Sequence, residues 1–187
     1  GLLAYPEELE RFLDVVFEKT PVAVSLKTRL GMESPEEWPA LLELFNRYPA
    51  RRLILHPRSR AEQYGGSPHR EWYDYTLRES KLPVCYNGDL FTAEALREFE
   101  RRYPGTESVM CGRGFLYHPG LVNLYNGKTE SVEALRRFHQ MLYDGYRAQI
   151  GTEAFVLCKM KEVWACLGKG IGLGPKTLKA IHKSMRY

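Results

Sequence analysis

Long apolar runs are missing from this 187-residue chain, and no stretch approaches the roughly 18 to 20 consecutive apolar residues that span a bilayer. The first residues also lack the charged, apolar and small-residue order of a signal peptide. The sequence therefore predicts a cytoplasmic protein with no membrane partner. Cysteine is scarce: Cys85, Cys111, Cys158 and Cys166 form no CxxC pair, so neither a metal site nor a disulfide framework is expected. They read as reduced thiols, mostly buried as small apolar side chains. A strong net charge is missing too, since the formal value is only +4. That value conceals an asymmetry, because residues 151–187 hold seven Lys and Arg against two acids. A basic C-terminal end suits a polyanionic partner, with a solvated lysine-rich face as the plain alternative.

What is present is an alternation of periods. Residues 6–20 carry Leu9, Phe12, Leu13, Val16 and Phe17 at helical spacing, and Pro21 ends the pattern. Residues 22–30 read as a strand, with Val22, Val24 and Leu26 facing helices and Ala23, Ser25, Lys27 and Arg29 on the other face. Ser34 and Glu37 stand at capping-box spacing before a helix running to about residue 48. Strands then follow at 52–58, 82–89 and 107–114, with helices at 69–80 and 92–103. This βα alternation predicts a parallel sheet, best fitted by half of a (β/α) barrel, with a doubly wound sheet as the alternative. Beyond residue 128 only helices are expected, at 131–150, 153–167 and 175–185. The predicted domains are thus an α/β unit over 1–127 and a small all-α domain over 128–187.

Ligand sites in parallel α/β folds lie at the C-terminal ends of strands. Four such ends are legible: Lys27-Thr28-Arg29, His56-Pro57-Arg58, Asn87-Gly88-Asp89 and Gly112-Arg113-Gly114. Lys27 shares a face with small residues, as a barrel interior requires, and an inward lysine needs an anion or a polarised carbonyl; a lysine snorkelling to solvent is the alternative. His56 is held extended by the proline after it, and could equally be a satisfied structural histidine. The two glycine motifs could cradle an anion or be ordinary turns. The four ends are expected to face one pocket.

The segments VSLKTRLG (24–31), LILHPRSRAEQYGG (53–66), LPVCYNGDLFTAE (82–94) and VMCGRGFLYHPGL (109–121), with KMKEVWACLG (159–168), closely resemble the tRNA-dihydrouridine synthases. The resemblance is ordered along essentially the whole chain. It implies a flavin-binding barrel enzyme with a helical domain, which reduces uridine in tRNA using FMN and NADPH. It also implies that Lys27 and His56 contact the flavin ring, and that Asn87, Gly88, Asp89, Gly112 and Arg113 hold its phosphate. Arg58, Arg60, Gln63 and Tyr64 fall on a loop placed for RNA, and Arg29, Lys159 and Lys161 join them as expected tRNA contacts.

The family's catalytic cysteine sits in an Asn-Cys-Gly-type motif that this sequence does not contain. No catalytic residue is therefore assigned, and Cys85 and Cys111 read as core residues. The chain is expected to be a synthase fragment, inactive alone, with exposed half-barrel edges that could pair two copies as a homodimer. The rival readings are another phosphate-binding FMN barrel oxidoreductase, or a non-enzymatic RNA-binding module.

Overall fold

The computed structural model describes residues 1–129 and 131–186. A 3-10 turn, Leu2–Ala4, leads into α1 (Pro6–Lys19), which starts on a proline and buries Leu9 and Leu13. Then come β1 (Ser25–Arg29), a 3-10 turn Pro35–Glu37, α2 (Trp38–Phe45), β2 (Arg52–His56), α3 (Arg70–Glu79), β3 (Val84–Tyr86), α4 (Ala93–Arg102) and β4 (Ser108–Val109). Five further helices follow: α5 (Arg113–Tyr117), α6 (Leu121–Tyr125), α7 (Val132–Ile150), α8 (Glu153–Gly170) and α9 (Pro175–Lys183). Among the described residues no helix is long and apolar enough to cross a membrane.

The four strands are parallel and lie in chain order, β1-β2-β3-β4. A doubly wound sheet reverses its strand order part-way across. The unreversed order with intervening helices is instead that of one side of a (β/α) barrel. The register pairs Lys27 with Ile54 and Ile54 with Cys85, and Cys85 with Ser108, so these four share one face. Their neighbours Leu53, Leu55 and Tyr86 occupy the opposite face and are fully buried. On that face Tyr73 of α3 meets Tyr86 edge-on at 4.9 Å and Tyr103 at 5.1 Å, an arrangement that favours aromatic pairs beyond their buried area. Trp38 is fully buried, and its indole N–H donates to Thr76 Oγ1 at 2.7 Å, tying α2 to α3.

Several boundaries differ from expectation. Val22 lies outside β1 and is 69% exposed, because the β1–β2 register begins only at Ser25 and Arg52. Upstream of Val24, whose carbonyl receives Arg51 N–H, no strand among the described residues pairs with the chain. Strands β3 and β4 are shorter than the apolar runs that announced them, and Cys111 falls beyond β4. The capping box does form: Ser34 accepts from the backbone while Glu37 accepts from Met32, Glu33 and Ser34 N–H, and it heads a 3-10 turn before α2.

The chain divides into two compact units, Gly1–Asp89 with Tyr103–Met110, and Leu90–Arg102 with Cys111–Tyr187. Helix α4 and the segment 111–127 thus group with the later helices, whereas the sequence drew its line near residue 128. Within the second unit Arg97 of α4 closes the end of α6 by donating to the carbonyls of Leu124 and Tyr125. Helices α7 and α8 bury Tyr143, Val156 and Met160 together, and Gly151 ends α7 in the left-handed conformation (φ 71°). Helix α8 runs to Gly170, three residues past the expected stop, and there it meets α5. A Cβ at Gly170 would stand 1.9 Å from the carbonyl oxygen of Tyr117.

Two glycines on long helices therefore respond to alanine in opposite ways. Gly170→Ala should destabilise the protein by about 1–3 kcal/mol, because backbone would have to move. Gly145→Ala, in mid-α7 with open space around the added methyl, should stabilise by about 0.5–1 kcal/mol through helix propensity. Thermal melts of both variants check this; a Gly170→Ala protein as stable as the parent would show that α5 and α8 do not pack this closely.

Candidate active site

Parallel register fixes what stands at the strand ends. Arg29 pairs with His56, and Lys27, two residues before Arg29, shares its face. Lys27 is exposed in this chain, yet partial burial and then the neighbouring Arg29 charge draw its ammonium below the usual lysine value, with Cys85 acting in the other direction. These partners place its charge over the Ile54–Cys85 face rather than the helix-covered one. The thiol of Cys85 is buried at 3% exposure, a small residue between strands, as expected.

His56 is 6% exposed. The Arg58 N–H donates to the His56 carbonyl at 2.7 Å, closing a three-residue turn over Pro57 that sends the Arg58 side chain back toward the imidazole. Burial first, then the charges of Arg29, Arg58 and Lys27, push the His56 pKa down to about 4 against a smaller opposing pull from Asp89. His56 is thus a neutral imidazole at neutral pH.

Arg58 departs most from expectation. It is fully buried rather than turned outward to RNA. Its Nε–H donates to Gly65 O at 3.0 Å, Nη1 to Asp89 Oδ1 at 3.1 Å, and Nη2 to Gly66 O and Asp89 Oδ2, both at 2.6 Å. A further Nη1 contact reaches His56 Nε2 at 3.2 Å. These contacts account for all five N–H groups of a guanidinium, so none is left for a phosphate. Arg29 holds the loop with part of its guanidinium: Nη1 bonds the carbonyls of Ser59 and Gln63, both at 2.8 Å, and the guanidinium lies 5.5 Å from the Tyr64 ring centroid. Both arginines hold loop 57–66, Arg58 with Nε and Nη2 and Arg29 with Nη1 alone. Arg60 and Tyr64 stay exposed on that loop, Tyr64 at 62%. Gln63 adopts φ 52°, a left-handed turn residue whose carbonyl is held by Arg29.

The glycine motifs resolve unevenly. Asn87 spends its amide on Met110 O at 2.7 Å, tying the end of β3 to that of β4. A Cβ on Gly88 would come within 2.7 Å of the Tyr86 hydroxyl, so packing by itself requires that glycine. Asp89 takes φ 22°, a conformation uncommon for a residue with a side chain, and its carboxylate is locked by Arg58. In the second unit, Gly114 is demanded by Leu90 O, 2.4 Å from where its Cβ would lie. Gly112 is different: a Cβ there meets nothing, and its φ of −103° suits any residue. Arg113 lies with its guanidinium carbon 4.9 Å from the Phe91 ring centroid. Among the described residues no group of three His, Cys, Asp or Glu could hold a metal ion.

On α8, Val156, Met160 and Leu167 form the buried stripe that the sequence indicated. Lys159 does not project alone, since its ammonium donates to Glu162 at 2.9 Å. Lys161 is half-buried beside a small cavity shared with Leu157, Trp164 and Ile181. Two further links were not legible in the sequence: Trp164 N–H donates to His139 Nε2 at 2.8 Å, and His69 bridges Glu62 and Glu71 at 2.6 and 3.0 Å. Trp164 and His139 are 25 residues apart on different helices, and the His69 pair joins loop to helix start with no periodic pattern to mark it.

The geometry can be set beside known proteins. The family model described as dihydrouridine synthase (Dus) matches residues 1–175. The chain is 35% identical over 125 residues to a probable tRNA-dihydrouridine synthase 1 from Synechocystis sp., covering 65% of this chain and 34% of that protein. It is 31% identical over 122 residues to a tRNA-dihydrouridine(16) synthase from Pseudomonas putida, covering 64% and 38%. Against a tRNA-dihydrouridine synthase B from Vibrio vulnificus it is 28% identical over 164 residues, covering 81% and 51%. The chain therefore spans from about a third to half the length of these relatives.

The depressed pKa of His56 has a stability consequence of definite sign. The unfolded imidazole takes up its proton near pH 6.5, the folded one only near 4, so between these values the unfolded state binds more protons. Stability should fall as pH drops through this window, by about 3 kcal/mol in all. Denaturant midpoints from pH 7 to 4 for the parent and for His56→Gln isolate the effect; parallel curves would show that His56 is not buried neutral.

Proposed function

The chain belongs to the dihydrouridine synthase family, and we propose that it forms the flavin-holding and RNA-holding parts of an FMN-dependent enzyme that reduces uridine to dihydrouridine in tRNA, with NADPH as reductant. Such an enzyme works in the cytoplasm, where its tRNA is. One observation carries the reading: Lys27 and His56 stand on one face of adjacent strand ends, the face the register turns away from the helices. That is the ligand end of a parallel barrel.

The residues fit the cofactor chemically. FMN would supply a carrier that accepts hydride from NADPH and passes it to the uracil. Lys27 provides a cation for the pyrimidine edge, where a reduced flavin gathers negative charge, and His56 provides an uncharged imidazole beside it. Gly112 has no internal reason to lack a side chain, which supports close approach of a phosphate to its backbone, with Arg113 adding charge. Asn87 and Asp89 shape the strand end through side-chain bonds to Met110 and Arg58, and the backbone N–H of Gly88 is left for the phosphate. Residues 1–127 are assigned to flavin, and residues 128–187, together with Arg60 and Tyr64, to tRNA.

Lys27→Met removes the cation while retaining the length of the side chain. It should weaken FMN binding about tenfold or more, read by quenching of flavin fluorescence on titration. An unchanged dissociation constant would remove Lys27 from the flavin site.

For the RNA part, Lys159→Ala with Lys161→Ala should lower the slope of log affinity for tRNA against log salt by roughly one phosphate contact for each lysine. The Lys159–Glu162 pair is no obstacle, because an exposed i,i+3 ion pair contributes about 0.5 kcal/mol or less. Filter binding across a salt series gives the slopes. Equal slopes for parent and double variant would place the tRNA elsewhere.

A further inference from the structure

We infer that Arg58 is a positioning residue, held by Asp89, that fixes which nitrogen of His56 carries the proton. A guanidinium has donors and no acceptor. The contact between Arg58 Nη1 and His56 Nε2 therefore has one polarity: arginine donates, and Nε2 receives with its lone pair. An imidazole accepting at Nε2 is uncharged and keeps its proton on Nδ1.

Arg58 has no freedom to release the ring. The carbonyls of Gly65 and Gly66 and both oxygens of Asp89 hold its remaining N–H groups, and the side chain is sealed from water. Asp89 thereby acts through Arg58, with the carboxylate clamping the cation and the cation clamping the imidazole. A protonated ring would set an N–H against an N–H at that contact. It would also add a charge beside Arg29, Arg58 and Lys27, with Asp89 alone opposing it. The His56 ring makes no other hydrogen bond among the described residues, so Nδ1–H is the polar group the ring has to offer. The strand-end face accordingly receives a hydrogen-bond donor from His56 and no acid or base.

This deepens the flavin reading and rests on it only for the identity of the acceptor, a carbonyl oxygen or ring nitrogen at the edge of the isoalloxazine. The tautomer itself is tested without flavin, on protein carrying 15N-histidine, with the His56 signals identified by their loss in His56→Asn. The expected spectrum has Nδ1 protonated and Nε2 bare from pH 8 to 5, with no change of charge. A proton on Nε2, or titration near pH 6.5, would overturn the inference. In Arg58→Lys the charge survives but the fork is lost, so the His56 midpoint should rise by about one unit or more and both tautomers should be populated. A tautomer unchanged in that variant would show that Arg58 does not set it.

Should Arg58→Lys fail to fold, a pair of variants with Arg58 intact gives the same answer through FMN affinity. Asparagine places its amide N–H near the position of Nδ1, and glutamine places it near Nε2. His56→Asn should keep binding within roughly threefold of the parent, and His56→Gln should lose roughly tenfold. The reverse order would refute the donor at Nδ1. Absence of FMN binding by the parent protein, with the tautomer as expected, would instead sink the flavin reading and leave the role of Arg58 standing.

Discussion

A guanidinium shut away from water is tolerable only when its charge is balanced and each of its N–H groups is met. Arg58 satisfies both conditions, with one carboxylate and two glycine carbonyls around it. Much of the strand-end geometry follows from this single requirement. It draws loop 57–66 back over β2, holds Asp89 in a left-handed backbone conformation after β3, and presses one N–H onto the ring of His56. Removing Asp89 would leave a buried cation, so the end of β3 and the end of β2 are locked into one arrangement.

Arg29 repeats the device at lower cost, because it remains half in solvent. Its bonds to Ser59 and Gln63 hold the same loop from the β1 side, and its charge draws the pKa of both Lys27 and His56 downward. Tyr64 lies against Arg29 and 6.2 Å from the His56 ring. An exposed aromatic ring is thus carried on a loop that two arginines hold. Positively charged residues here build the loop first, and only Lys27 and Arg60 of this group keep exposed charges.

The helical unit obeys a different constraint, the close approach of backbones. Gly114 against the Leu90 carbonyl and Gly170 against the Tyr117 carbonyl let backbones touch where a methyl group would collide, and Gly168 makes room for the Leu178 side chain. Packing thus accounts for three glycines that spacing alone would assign to turns or ligands. Gly112, like Gly145, has open space where a Cβ would stand, so packing does not account for it.

Period and chain order were legible in the sequence, because they depend on local rules. Alternation gave the strands, the 3.6-residue stripe gave α1, α7 and α8, and Ser34 with Glu37 marked a real cap. The side of β1 that Lys27 shares with Arg29 also followed, since residues two apart on a strand share a side. The strands proved shorter than their apolar runs because pairing needs a neighbour, and no local pattern states where the neighbour begins. The fate of the arginines was illegible for the same reason. Arg58 and Asp89 are 31 residues apart, and nothing near Arg58 distinguishes a cation bound for solvent from one bound for a buried carboxylate. Only the tertiary structure decided that, because burial and charge pairing belong to residues brought together by the fold, whereas periodicity belongs to the chain itself.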